Sequence, residues 1–176
     1  MASLRDRQPQ PSVAESLIQT EKVVTLDGIM PIIKERLAAG QSVRIYPRGT
    51  SMLPMLKEGR DSVVLSPLPE RLKKYDLPLY QRKNGQYVLH RVVKIGETYT
   101  CLGDNQFALE SGLTHDQMIA IVSGFCRKGR EHAVTDFSYG CYRFFWFHTR
   151  HVRRIWRGGL RRIKKIFRGK KQPSQK

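Results

Sequence analysis

Hydrophobic spacing changes twice along this chain. From Asp27 to Ala39, apolar residues return at three- and four-residue steps, which predicts a helix with Ile29, Ile32, Ile33 and Leu37 on one face. Asp27 stands where a cap is wanted, Pro31 falls in the tolerant first turn, and Gly40 marks the stop. From residue 42 the spacing shortens. The segments 42–46, 62–66, 78–82, 86–93, 98–102 and 118–125 are short, rich in β-branched and aromatic residues, and bounded by turn formers. Asn84-Gly85 between the third and fourth predicts a hairpin. Six such strands without interleaved helices predict a mainly β fold: a compact coiled antiparallel sheet or partial barrel.

Beyond about residue 140 the helical period returns. Val152, Ile155, Trp156, Leu160, Ile163, Ile166 and Phe167 alternate with arginines and lysines, which predicts a basic amphipathic helix. Gly158-Gly159 weakens its middle by about 1 kcal/mol per glycine. At the other end, residues 1–13 are polar and predicted disordered, and 14–24 are a short helix or extended. The expected organisation is a flexible segment 1–24, a β domain 25–136 with its N-terminal helix, and a basic aromatic tail 137–176.

Charge sharpens that division. The formal net charge is +17, yet residues 1–141 carry 19 basic and 15 acidic side chains while 142–176 carry 13 basic and none acidic. The body is therefore an ordinary, mildly basic domain. Three cysteines without metal-ligand spacing read as free thiols of a reducing compartment. His115, His132, His148 and His151 form no metal-binding pattern, so neither metal nor cofactor is expected. No run reaches the ~18–20 apolar residues of a membrane span, and the N-terminus lacks the apolar core of a secretory signal. A cytoplasmic or membrane-peripheral placement is expected.

The chemistry concentrates in three short stretches. RGTSMLPML at 48–56 puts Ser51 in a turn, with Gly49 giving the backbone freedom and Pro54 opposing a helix. A serine hydroxyl needs a base, and His90 within LHRVV at 89–93 supplies one. Strand alternation places Val88, His90 and Val92 on one face, where the imidazole is partly dry. Asp104 in LGDN at 102–105 and Glu110 beyond it are the candidate orienting carboxylates. The Ser51 N–H is a candidate oxyanion donor. An unperturbed imidazole would give activity rising near a pKa of about 6.5.

These stretches carry a resemblance. GTSMLPML followed by GRDSVVL resembles the nucleophile box of type I signal peptidases, KKYDLPLYQR their next strand, LHRVV the base box, and LGDNQFALESGL with IAIVSGF the final box. The similarity covers about residues 42–126, in order, and points to the clan that joins signal peptidases with LexA-type self-cleaving proteins. Most bacterial members use a lysine base; His90-Arg91-Val92 looks like the histidine type of the endoplasmic reticulum and archaea. The resemblance implies a hydrolase with a signal-peptidase-like catalytic core, Ser51 as nucleophile and His90 as base. Asp104 is the favoured acid and Glu110 the alternative. It implies an extended substrate beside Met52 and Pro54, with small residues before the cut. Some relatives add a serine oxyanion donor two positions before the nucleophile; Gly49 stands there, leaving Thr50 as the substitute.

The expected function is thus a serine endopeptidase processing a precursor or signal peptide. The usual N-terminal span of signal peptidases is not evident. Phe144, Phe145, Trp146 and Phe147 with the cationic helix suit an anionic membrane surface through residues 142–176, with nucleic acid as a second possible partner. A LexA-type self-cleaving regulator is a competing reading, though residues 1–40 show no helix-turn-helix pattern. The other is a non-enzymatic module that keeps the fold. Oligomeric state is not legible.

Overall fold

The computed structural model describes residues 26–150 together with Val152, Arg153 and Ile155. The readings for 1–24, and for the chain beyond Ile155, fall outside the described residues. The first helix, α1 (Leu26–Ala38), buries Met30, Ile33 and Leu37. Ile32, expected inside, is 55% exposed, and Met30 takes its place because 30, 33 and 37 keep the three- and four-residue step that a single stripe requires. The last turn closes through Gly40 N–H to Leu37 O and Gln41 N–H to Arg36 O.

The β region is mainly antiparallel, as expected, but forms two sheets that do not close into a barrel. The larger contains β1 (Val43–Ile45), β2 (Ser62–Pro67), β3 (Pro78–Gln81), β4 (Tyr87–Leu89), β8 (Met118–Arg127) and β9 (Arg130–Ala133). Its order is β1-β2-β8-β3-β4, with β9 also on β8. β8 is the spine: β2 lies along one edge, while β3 and β9 share the other. The smaller sheet runs β5 (Arg91–Ile95), β6 (Tyr99–Leu102), β7 (Glu110–Leu113). The hairpin expected at Asn84-Gly85 joins β3 to β4, closed by Arg82 N–H to Gln86 O and Gly85 N–H to Arg82 O, both 2.9 Å.

The strand predicted over 86–93 is not continuous. It breaks at His90, where the chain leaves the larger sheet as β4 and enters the smaller one as β5. Both sides of the joint are covered, so every residue from Val88 to Val93 is buried and alternation in exposure disappears. Alternation survives in partners instead. Val88 and Val92 pack with Tyr80, Cys101 and Met118, whereas Leu89 joins the cluster of Met30, Val63 and Val122. Strands β7 and β9 carry polar, largely exposed side chains and no apolar alternation, so only pairing with a neighbour makes them strands.

The expected tail begins as a docked helix. In α2 (Phe137–His148), Tyr139, Tyr142 and Trp146 stack along the inner face. Arg91 Nη1 donates to Tyr139 Oη at 2.8 Å, Tyr142 Oη to Asp104 Oδ2 at 3.1 Å, and Trp146 Nε1 to the Asp104 carbonyl at 2.8 Å. Trp146, grouped by sequence with the membrane-facing aromatics, therefore faces the protein. Beneath the helix, Arg91 grips both Asp104 oxygens at 2.9 and 2.8 Å, with each side chain 3% exposed. Burial alone would lower the guanidinium pKa, but Asp104's charge and hydrogen bonds raise it, so the guanidinium stays charged.

Breaking this pair from one side leaves an uncompensated buried charge. Asp104→Ala is expected to lower unfolding stability by about 3–5 kcal/mol in urea titration. Glu131→Ala, which loses the exposed Arg44–Glu131 pair, is expected to shift the midpoint little.

Candidate active site

Ser51 lies in the long connection between β1 and β2. The positive φ of Gly49, +89°, turns the chain, and its N–H donates to Glu58 Oε2 at 2.9 Å. Tight turns follow, with Leu53 N–H to Thr50 O and Leu56 N–H to Met52 O, and the Leu53–Pro54 peptide bond is cis. Buried Met52, Met55 and Leu56 anchor the loop in the core. Its far end is held by Asp61, fully buried, which accepts from the Arg60 guanidinium and from the N–H groups of Lys57 and Lys128. The Arg60 bonds, followed by those backbone donors, hold the Asp61 carboxyl down at about 2 despite burial.

A second clamp comes from the turn after β6. Asn105 N–H donates to Ser51 O at 2.8 Å, and Asn105 Nδ2 to Thr50 O at 3.0 Å. Gly103 makes the closest approach. A Cβ there would stand 2.8 Å from Ser51 O and 3.0 Å from His90 Nε2. The serine backbone and the imidazole thus flank one point, and only a residue without a side chain fits between them.

His90 is 3% exposed, at the joint between the sheets. Its Nδ1 lies 3.2 Å from Tyr80 Oη and 3.7 Å from Glu110 Oε2. Tyr80 has one hydroxyl proton and donates it to Glu110 Oε2 at 2.7 Å. The phenol oxygen therefore meets Nδ1 as an acceptor, which favours the tautomer with Nδ1 protonated and Nε2 free on the Gly103 side. Glu110 is in turn held by Arg82 through two bonds of 2.7 Å, and these hydrogen bonds lower its pKa. Burial, with Glu110's stabilisation too weak to offset it, depresses the His90 pKa from its ordinary 6.5 to about 4. The unperturbed imidazole expected from sequence is thus replaced by one that stays neutral well into acid.

Ser51, Thr50, Met52 and His90 line one cavity of about 290 Å³, walled also by Arg48 and Leu89. Pro54 is exposed and lies outside that lining; its carbonyl accepts from Arg127 Nη2. Both candidate acids are held through both oxygens by an arginine, Asp104 by Arg91 and Glu110 by Arg82, and Glu110 also lies 3.7 Å from His90 Nδ1. The aspartate, favoured from sequence as the orienting acid, faces the α2 side, and the glutamate lies beside the imidazole. Tyr80, Arg82, Gly103 and Asn105 were not singled out from sequence. Only Gly103 and Asn105, which flank Asp104 in the GDN turn, have a local signal. Among the described residues no cluster of His, Cys, Asp and Glu could hold a metal ion, and no helix is long and apolar enough to cross a membrane. Compared with protein-family models, curated proteins and solved structures, the chain matches none.

Two measurements probe this geometry. The His90 imidazole is expected to remain neutral by NMR titration until pH falls to about 4. Because the Glu110 charge favours the protonated ring, Glu110→Gln is expected to move that pKa lower still. Gly103→Ala is expected to push the Ser51 backbone away from His90, read as a changed imidazole environment in the same NMR titration.

Proposed function

We propose that this chain is a serine endopeptidase of the signal-peptidase-like kind. Ser51 is the nucleophile, His90 the general base, and Glu110 the carboxylate that steadies the imidazolium. The observation that carries this reading is the shared cavity. Ser51 and His90 border it, with Gly103 between serine backbone and Nε2, while Nδ1 is buttressed by Tyr80 and Glu110.

In this mechanism Ser51 Oγ attacks a peptide carbonyl as its proton passes to His90 Nε2. The imidazolium then protonates the leaving amine, and water releases the acyl group by the reverse use of the same base. Glu110 opposes the positive charge that forms on a buried ring, where a charge without a partner is costly. The Ser51 N–H, with Thr50 at the cavity wall, is the candidate oxyanion site. Strand β4 ends the larger sheet and Tyr87, Val88 and Leu89 line the same cavity, which suits a substrate added as an extended strand. The small volume suits short side chains next to the cut.

Ser51→Ala and His90→Ala are each expected to lower turnover of a precursor peptide by about a thousandfold or more; Ser51→Ala leaves the unfolding midpoint near its original value, whereas His90→Ala, which empties a buried position, lowers it while the chain stays folded at about 25 °C. An acylating active-site probe should label Ser51 in the native chain and fail after His90→Ala. Unlabelled native protein, or turnover surviving either substitution, would favour a binding module that keeps the fold without the chemistry. Because the His90 pKa is low, the acid limb of kcat/KM is expected near pH 4, with activity lost as pH falls through it.

A further inference from the structure

The docked helix divides its aromatic residues between two faces. Tyr139, Tyr142 and Trp146 turn inward, and Arg143 and Arg153 lie over their rings. On the opposite side, Phe137 and Phe144 lie seven residues apart on one stripe with Phe145 beside them, and beyond the helix end at His148, Val152 and Ile155 are exposed as well. Phe137, Phe144, Val152, Ile155 and Phe145 are 87%, 52%, 62%, 77% and 64% exposed, respectively, and they form most of the large apolar side chains presented to water among the described residues. Scattered exposed apolar residues need no explanation, but five gathered on one helix and the chain just after it do.

We infer that these five residues form a docking face for an anionic lipid bilayer. Charge selects this occupant. The segment 142–176 has 13 basic residues and no carboxylate, so the apolar face opens a stretch of chain with a uniform positive charge. An anionic headgroup layer complements that charge, and its acyl boundary takes phenylalanine rings. Nucleic acid would satisfy the cations and leave the apolar face wet. A second copy of this chain would cover that face while bringing two such basic segments together. Neither signal is strong alone; a modest apolar area combined with a polybasic segment gives stable attachment. The inner face remains engaged with Arg91 and Asp104, so binding requires no undocking of α2. This inference does not depend on the peptidase reading.

Co-sedimentation of the full chain with vesicles tests it. Binding is expected to mixed phosphatidylcholine–phosphatidylglycerol vesicles, to weaken with added salt, and to be much lower on pure phosphatidylcholine. The double change Phe144→Ser with Phe145→Ser alters exposed positions only, and is expected to reduce partitioning about tenfold or more with the unfolding midpoint retained. Absence of vesicle binding would overturn the proposal, as would binding indifferent to the double change. So would a double change whose main effect is to dissociate a dimer in sedimentation equilibrium, or duplex DNA binding that the vesicles do not displace. Ser51 labelling, measured in parallel, reports on the catalytic reading separately.

Discussion

The buried Arg91–Asp104 pair is the interaction on which the rest of the architecture depends. Arg91 begins the first strand of the smaller sheet, and Asp104 lies in the turn after the second. The guanidinium also donates to the Tyr75 carbonyl and to Tyr139 of α2, and its Nη2 lies 3.2 Å from the Met55 sulfur in the nucleophile loop. Four separate stretches of chain thus converge on one cation. Two desolvated charges repay their burial only when their remaining hydrogen-bonding positions are filled, and here both partners have several. The result is a rigid knot under the candidate site rather than a reserve of stability.

Each member of the knot is the neighbour in sequence of a residue at the site. His90 precedes Arg91, Gly103 precedes Asp104, and Asn105 follows it. Successive side chains in extended backbone point to opposite sides. Fixing Arg91 on the α2 side therefore presents the imidazole to the other side, and in the turn after β6, with Asp104 fixed on the α2 side, Gly103 and Asn105 meet the Ser51 loop. Asn105 then holds the carbonyls of Thr50 and Ser51. The helix belongs to this device as well: Trp146 and Tyr142 hold the carbonyl and carboxylate of Asp104, and so the turn that positions the serine. A boundary between the β region and the tail at residue 137 would cut through these contacts.

On the other side of the imidazole, Arg82, Glu110, Tyr80 and His90 form a graded chain from half-exposed cation to buried neutral ring. Its direction is set by proton supply. Arg82 can only donate, Glu110 only accepts, and Tyr80 has a single proton to give. The orientation of Nδ1 follows from that count. Tyr80's own pKa is pushed well up by burial and by the adjacent carboxylate, so it remains a phenol and the count holds across the physiological range.

Local spacing alone determined the elements whose pattern is self-contained. The helix ending at Gly40, the hairpin at Asn84-Gly85 and the serine-bearing turn of 48–56 were all legible, because caps, turn formers and periodic burial act within a few residues. The candidate pair Ser51 and His90 was legible too, from residue types in an ordered series. What needed the tertiary structure was every feature defined by a partner distant in sequence. The break of a strand at His90 depends on two sheets competing for its ends, and β7 and β9 exist only through their neighbours. Where Asp104 and Glu110 lie relative to His90 depends on which cation each carboxylate meets. Sequence supplies the carboxylates but not the location of Arg91 and Arg82, and each carboxylate lies where its own arginine holds it, Asp104 beneath α2 and Glu110 beside the imidazole.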